Sequence, residues 1–143
     1  MTLHNKHIVD NLSPRLKGFS LVELMIVIVI IGVLAAIAVP IYSNNVQKAK
    51  RCEADAALGS IRNQLDIFKG EFGRYPKERT AEYVISASWN DIGPGELTRK
   101  YFSDSSYTYY GSPNGKVFKI TCAKGDILEY DRTLDQDAVL QDE

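Results

Sequence analysis

Glu23 carries the only charged side chain between Gly18 and Tyr42, a stretch that is otherwise almost entirely apolar. A carboxylate inside the hydrocarbon region of a membrane costs roughly 2.5–3.5 kcal/mol, and the charge is normally retained only where a partner neutralises it. The position of Glu23 at the start of the stretch therefore predicts that a partner of opposite charge is supplied to it.

Other residues that carry chemistry in proteins are few. Both histidines, His4 and His7, precede Gly18, so residues 18–143 contain no imidazole. This weighs against Ser-His, Cys-His and histidine–metal chemistry. Cys52 and Cys122 form no CxxC pair, which leaves a single disulfide between them as an open alternative in an oxidising compartment. No broad basic patch indicates a nucleic-acid partner. Because so few reactive side chains are present, we expect a chain that is not an enzyme and has no metal centre or other cofactor.

The apolar stretch must position Glu23. From Phe19 to Val39 it would form roughly 31 Å of α-helix, close to the hydrocarbon thickness of a bilayer. One alternative is a cleaved signal peptide, because Ala36-Ile37-Ala38 fits the small-x-small pattern that precedes such a cut. A second is a plain single-pass anchor in which Glu23 lies near the headgroups.

The residues around Gly18 resemble the N-terminal signature of type IV prepilins and of the related pseudopilins of type II secretion. In that family a glycine precedes the cleavage site, a phenylalanine becomes the methylated new N terminus, an acid follows, and a proline kinks the helix. These positions correspond here to Gly18, Phe19, Glu23 and Pro40. The resemblance covers about Arg15–Tyr42.

The resemblance implies that residues 1–18 are a leader, which a prepilin peptidase removes before it methylates Phe19. The amine freed on Phe19, with an unperturbed pKa of about 7.7–8.0, would be largely cationic and could neutralise Glu23 in the same or a neighbouring subunit. Further implied partners are the inner membrane, an assembly ATPase, a platform protein and other copies of the chain. The chain would lie in the inner membrane before assembly and in an extracellular filament, or a periplasmic pseudopilus, afterwards.

The remaining sequence indicates an α+β fold. Residues 19–42 are expected to span the membrane, 43–73 to continue the helix in amphipathic form, and 74–143 to form a globular head with an antiparallel sheet. The apolar side chains expected to pack on the sheet recur every three or four residues: Ala54, Leu58, Ile61, Leu65, Phe68 and Phe72. We expect the helix to end within 70–73, where Gly73-Arg74-Tyr75-Pro76 resembles a weak motif of the same family and indicates a helix stop with a packed tyrosine.

Alternating patterns predict strands at 107–110, 116–123 and 127–131, separated by turn signals at 113–115 and 124–126. In the second of them Cys122 shares a face with Phe118 and Ile120 and is expected to point toward the helix. Cys52 lies away from the apolar stripe of the helix, so the disulfide stays open. The aromatic run is expected to pack in the core and sheet, not to bind carbohydrate or carry electrons: Tyr101, Phe102, Tyr107, Tyr109 and Tyr110.

Acidic residues predominate in 126–143, which we expect to be a solvated tail, with contact to the basic stretch 48–51 of a neighbouring subunit as an alternative. The resemblance to major pseudopilins leaves calcium binding open at Asp131, Asp135 and Asp137, although no complete loop signature is present. The leading hypothesis is a structural subunit of a type IV pilus-like filament. A pseudopilin of a type II secretion system and a single-pass membrane-anchored binding or sensor domain are the alternatives.

Overall fold

The computed structural model describes residues 18–143, and the preceding part of the predicted leader lies outside the described residues. The described part consists of one long helix and a five-stranded antiparallel sheet, which confirms the α+β prediction. The elements are α1 (Leu21–Phe72), β1 (Glu82–Tyr83), β2 (Tyr107–Gly111), β3 (Phe118–Cys122), β4 (Arg132–Asp135) and β5 (Leu140–Asp142). The chain divides into two units after Pro40, and the sheet belongs to the unit that begins at Ile41.

The N-terminal part of α1 is apolar on all sides. Its most apolar 18-residue window has a mean hydropathy of 3.2, so α1 is long and apolar enough to cross a membrane by length and composition. Every residue from 18 to 45 is exposed in the isolated chain. A continuous apolar surface of this kind requires cover from lipid or from other protein chains.

The second part of α1 packs against the sheet. Its buried residues follow the predicted three- and four-residue spacing: Ala54, Ala57, Leu58, Ile61 and Leu65. The prediction that Phe72 joins this stripe is wrong, because its side chain is 58% exposed. Phe72 instead lies against Phe68 in the last turn, with 4.4 Å between the ring centroids. α1 ends there because Gly73 adopts a φ of 70° and its N–H bonds the carbonyl of Lys69, a common helix C-cap.

The five strands follow one another in chain order, each antiparallel to the next. On β3, Phe118, Ile120 and Cys122 are buried, while Lys119 and Thr121 on the opposite face are half-buried, which confirms the predicted faces of this strand. The aromatic run also packs as predicted at Phe102, Tyr107 and Tyr109, which are core residues. Tyr101 is half-buried against the core, whereas Tyr110 is 41% exposed, so the packing prediction is wrong for Tyr110.

The strand predicted at 127–131 is wrong. This segment follows a turn in which the N–H groups of Ile127 and Leu128 both bond the carbonyl of Lys124. The carboxylate of Asp131 accepts a hydrogen bond from the Lys124 N–H at 2.8 Å and closes the loop. The turn predicted at 124–126 is therefore the start of a longer loop, and the next strand begins only at Arg132.

The acidic C-terminal segment is not a free tail, since it forms β4 and β5, although residues 137–143 are exposed to solvent as predicted. Arg132 holds it in place. Its guanidinium donates to both carboxylate oxygens of Asp55 on α1, at 2.6 and 3.1 Å, and to Asp142 on β5 at 3.0 Å. This side chain is only 16% exposed. A bidentate contact of this kind is the strong form of an arginine–carboxylate pair. Through Arg132, α1 is joined to β4 and β5.

The segment after α1 is bound to the β2–β3 hairpin. The N–H of Tyr75 donates to the carbonyl of Gly115 at 2.9 Å, and the hydroxyl of Tyr109 donates to the carbonyl of Pro76 at 2.7 Å. The ring of Tyr75 meets Phe118 edge to face at 4.6 Å. Tyr75 is therefore a buried packing residue, as predicted from the Gly73-Arg74-Tyr75-Pro76 motif.

Candidate functional site

The bond between Gly18 and Phe19 lies just before α1. Residues 18–20 are exposed and have no regular secondary structure, and α1 begins at Leu21. An exposed, non-helical peptide bond is the form in which proteases generally cut a chain. The structure thus leaves the predicted cleavage site accessible, while the cleavage and methylation themselves remain predictions.

Glu23 lies in the first turn of α1, and its carboxylate points back toward the start of the helix. It accepts a hydrogen bond from the backbone N–H of Ser20 at 2.8 Å, and the N–H of Leu24 donates to the carbonyl of Ser20 at 3.2 Å. Ser20 therefore occupies the N-cap position and Glu23 the third helical position, as in one half of a capping box. The positive end of the helix dipole also favours an acid here.

This capping role was not predicted, although Ser20-x-x-Glu23 is its usual sequence signature. In the uncut chain the nitrogen of Phe19 is an uncharged amide, so the structure does not test its pairing with Glu23. The carboxylate nevertheless already binds the backbone nitrogen of Ser20, the residue next to Phe19.

Pro40 lies inside α1, which continues on both sides of it. Proline has no N–H to donate to the preceding turn, so one helical hydrogen bond is absent at this point. The kink expected at Pro40 stays a prediction.

The two cysteines are both free, so the disulfide that the sequence left open is not formed in this structure. Cys52 is exposed on α1, whereas Cys122 is buried on the inner face of β3. Burial raises the pKa of the Cys122 thiol to about 12. Because the thiolate is the reactive form, this shift suppresses the reactivity of Cys122 in addition to its lack of access.

Alkylation of the native chain with a maleimide near pH 7 is therefore expected to modify Cys52 alone. In denaturant both thiols should react, because unfolding exposes Cys122 and returns its pKa toward the ordinary value of about 8.5. Intact mass before and after denaturation counts the modified sites. Two modified sites in the native chain would contradict the burial of Cys122, and none in denaturant without reductant would show a disulfide.

The acids considered for calcium serve as turn acceptors. The carboxylate of Asp135 accepts the N–H groups of Asp137 and Val139, at 2.9 and 3.0 Å, and Asp131 closes the loop described above. Within residues 18–143 no three acidic, cysteine or histidine side chains converge into a metal site. The expectation that the chain has no cofactor, with calcium as the alternative left open, therefore stays a prediction.

Comparison with known proteins places these features in a family. A sequence model of the prokaryotic N-terminal methylation motif matches residues 14–39. The type IV major fimbrial protein FimA of Dichelobacter nodosus is 33% identical over 112 residues, which is 76% of this chain and 68% of the relative. Type II secretion system core protein G is 44% identical over 65 residues in Dickeya chrysanthemi and 42% identical over 87 residues in Aeromonas hydrophila.

The matches to core protein G cover less of each sequence. The Dickeya match covers 46% of this chain and 42% of the relative, and the Aeromonas match covers 61% of this chain and 59% of the relative. This chain thus spans about two fifths to three fifths of the length of these secretion relatives. The match to the fimbrial protein reaches over two thirds of that relative and includes the methylation motif. Together with the apolar helix and the small antiparallel sheet, it shows that the chain belongs to the family of type IV pilins and type II secretion pseudopilins.

Proposed function

We propose that this chain is a structural subunit of a type IV pilus-like filament, cut between Gly18 and Phe19 and methylated on Phe19. The observation that carries the proposal is the coincidence of three features. A methylation motif covers residues 14–39, an exposed non-helical bond lies at its expected cleavage point, and an apolar helix with exposed sides follows at once. None of these features requires catalysis by the chain itself.

The apolar part of α1 is the surface that changes its surroundings on assembly. Before assembly lipid covers it, and in a filament the corresponding helices of other copies would cover it instead. The exchange of lipid for protein gains little from apolar burial alone, because lipid tails are as apolar as the side chains. Specific polar contacts must therefore decide register, and Glu23 with the Phe19 amine of a neighbouring copy is the pair that this segment offers.

The pilus is favoured over the pseudopilus by the extent of similarity. The fimbrial relative matches 76% of this chain, whereas core protein G matches 46% of it in Dickeya and 61% in Aeromonas. A pseudopilin of a type II secretion system is the second candidate, since the identity to core protein G is higher over the shorter match. Either role would involve the inner membrane, a prepilin peptidase, an assembly ATPase and a platform protein.

The mature N terminus tests the proposal. When the full chain is expressed in membranes together with a prepilin peptidase, mass analysis should find a product that begins at methylated Phe19. Replacing Gly18 by a bulky residue such as leucine is expected to leave the uncut chain, because the side chain would block the bond from the peptidase. A product that begins at Met1 in the presence of active peptidase, or at Val39, would contradict the proposal.

The location of the polymer separates the two candidates. Electron microscopy of material sheared from the cell surface should show filaments that contain this chain if it forms a pilus. A polymer found only in the periplasm would identify the pseudopilin alternative.

A further inference from the structure

β5 is an edge strand of the sheet, and charged side chains hold it to the rest of the chain. Its three residues are exposed, and its strand neighbour is β4. The carboxylate of Asp142 lies 3.0 Å from the guanidinium of Arg132 and 3.7 Å from that of Arg51. The next residue, Glu143, forms an ion pair with Lys119 on β3. The acids at the end of this hairpin thus meet cations on α1, β3 and β4.

The turn between β4 and β5 combines a left-handed backbone with an alanine. It is closed by the N–H of Asp135, which donates to the carbonyl of Val139 at 3.4 Å, and by the N–H of Ala138, which donates to the carbonyl of Asp135 at 3.2 Å. Ala138 has a φ of 64° and is the one residue other than glycine with a positive φ within 18–143. Three-residue hairpin loops normally place glycine at such a position. The Cβ of Ala138 therefore strains the closed turn.

A second copy of the chain can offer β5 the same contacts without this turn. Every group that binds β5 belongs to α1, β3 or β4, all of which precede the turn. If residues 136–138 extend, β5 of one copy can pair with β4 of another, and the same ion pairs form between chains. Exchange of an identical element is a low-cost route to association, and a short hinge under strain favours it. The carboxylate of Asp135, which binds two N–H groups of the turn, opposes opening.

We infer that β5 is exchanged between copies of this chain, so that β5 of one copy completes the sheet of another. Asp142 and Glu143 are the residues by which it recognises the second copy. Their positions relative to Arg51, Lys119 and Arg132 are those of the closed hairpin. The exchange involves the unit that begins at Ile41 and does not require the filament proposed above.

Cysteine cross-linking across β4 and β5 tests the exchange. Thr133 and Gln141 are directly opposite each other, at a Cα separation of about 5.5 Å that a disulfide can span. Thr133→Cys and Gln141→Cys are placed in two full chains with different tags, both carrying Cys52→Ser, and the chains are produced together in membranes. Mild oxidation should link the two tags, because the introduced thiols lie opposite each other only when β5 is exchanged.

A pair of residues on β3 and β4 provides the matched control. Thr121 and Thr133 are also directly opposite each other, but both strands stay in their own chain during exchange. Thr121→Cys and Thr133→Cys should link when they are in one chain and should not link two chains. Equal linking of two chains by this pair and by the β4–β5 pair would indicate collision between subunits and would overturn the inference.

Variants of Ala138 test the role of the turn. Ala138→Gly relieves the closed turn and should lower cross-linking between chains by about fivefold or more. Ala138→Pro cannot adopt the observed φ and should raise it. Ala123→Gly, at an exposed position outside the turn, should leave it unchanged. Equal cross-linking in Ala138→Gly and Ala138→Pro would contradict a hinge at this position.

The chain that carries both Thr133→Cys and Gln141→Cys makes a negative result decisive. A disulfide within this chain would show that the two positions are close enough to react. If it forms while the two separately tagged chains remain unlinked, β5 stays in its own chain and the inference is wrong. The filament proposal would be unaffected, since it is tested by the mature N terminus and by microscopy of sheared material.

Discussion

Filaments are expected to be lost when Glu23 is replaced by valine, while membrane insertion and cleavage after Gly18 continue. Removing one member of a buried ion pair typically costs about 3–5 kcal/mol, which corresponds to more than a hundredfold in an association equilibrium. The cost would recur at each subunit added. Sheared filaments quantified by immunoblotting report assembly, and the mass of the membrane-bound chain reports processing.

Glu23→Gln separates the charge of Glu23 from its role as a helix cap. Glu23 also accepts a hydrogen bond from the N–H of Ser20, so valine removes a helix cap together with the charge. Glutamine keeps an acceptor at the same position and occurs in the same capping arrangement, but it cannot pair with a cationic amine. If the ion pair decides assembly, Glu23→Gln and Glu23→Val should both be defective.

If the cap were the important contact, Glu23→Gln should instead assemble nearly as well as the unchanged chain. Glu23→Asp provides a further control, because it keeps the charge and shortens the reach by one methylene. Normal filaments from Glu23→Gln would therefore contradict the assembly role of the charge. That result would not contradict the predicted cleavage between Gly18 and Phe19.

Unfolding of the head at much lower temperature is expected for Gly111→Ala. A Cβ at this position would lie 2.0 Å from the carbonyl oxygen of Pro76 and 2.6 Å from the hydroxyl of Tyr109. The first of these atoms belongs to the backbone and is held by the Tyr109 hydroxyl, so neither can move without breaking their hydrogen bond. The N–H of Gly111 is also bound to the carbonyl of Glu78 at 2.9 Å.

We expect this substitution to lower the free energy of unfolding by about 3–5 kcal/mol, at or beyond the upper end for overpacked sites. For a head of this size the midpoint temperature should fall by more than about 12 °C. Thermal unfolding followed by near-ultraviolet circular dichroism of the detergent-solubilised chain measures it.

Gly59→Ala is the matched control, because nothing lies within 4 Å of its added Cβ and the residue is in α1. Alanine should stabilise the helix there by about 0.5–1 kcal/mol. A Gly111→Ala variant that unfolds at the same temperature as Gly59→Ala would show that the contact between the Tyr75-Pro76 segment and the hairpin is not close in solution.

The features that local patterns encode were predictable. The apolar run, the stripe from Ala54 to Leu65 and the alternation in β3 each depend on neighbours within a few residues, and the structure contains all three. β4 was not predicted, because among Arg132-Thr133-Leu134-Asp135 only Leu134 is a typical apolar core residue. Its place is decided by pairing with β3 and by the contact of Arg132 with Asp55, which lies 77 residues away in the sequence.

The same distinction applies to the functional residues. Gly18, Phe19 and Glu23, whose roles stay predictions, form a local signature that can be read from the sequence alone. Residues that a fold brings together from distant segments are visible only in three dimensions.

The two contacts that join the sheet to α1 have a mechanical consequence. Asp55, bound by Arg132, and Phe72, just before the bound Tyr75, are separated by roughly 26 Å along the helix axis. A tensile load applied along this axis would stress both attachments and the packed core between them in shear at the same time. The head should consequently resist being peeled from the helix, a useful property in a fibre that bears force.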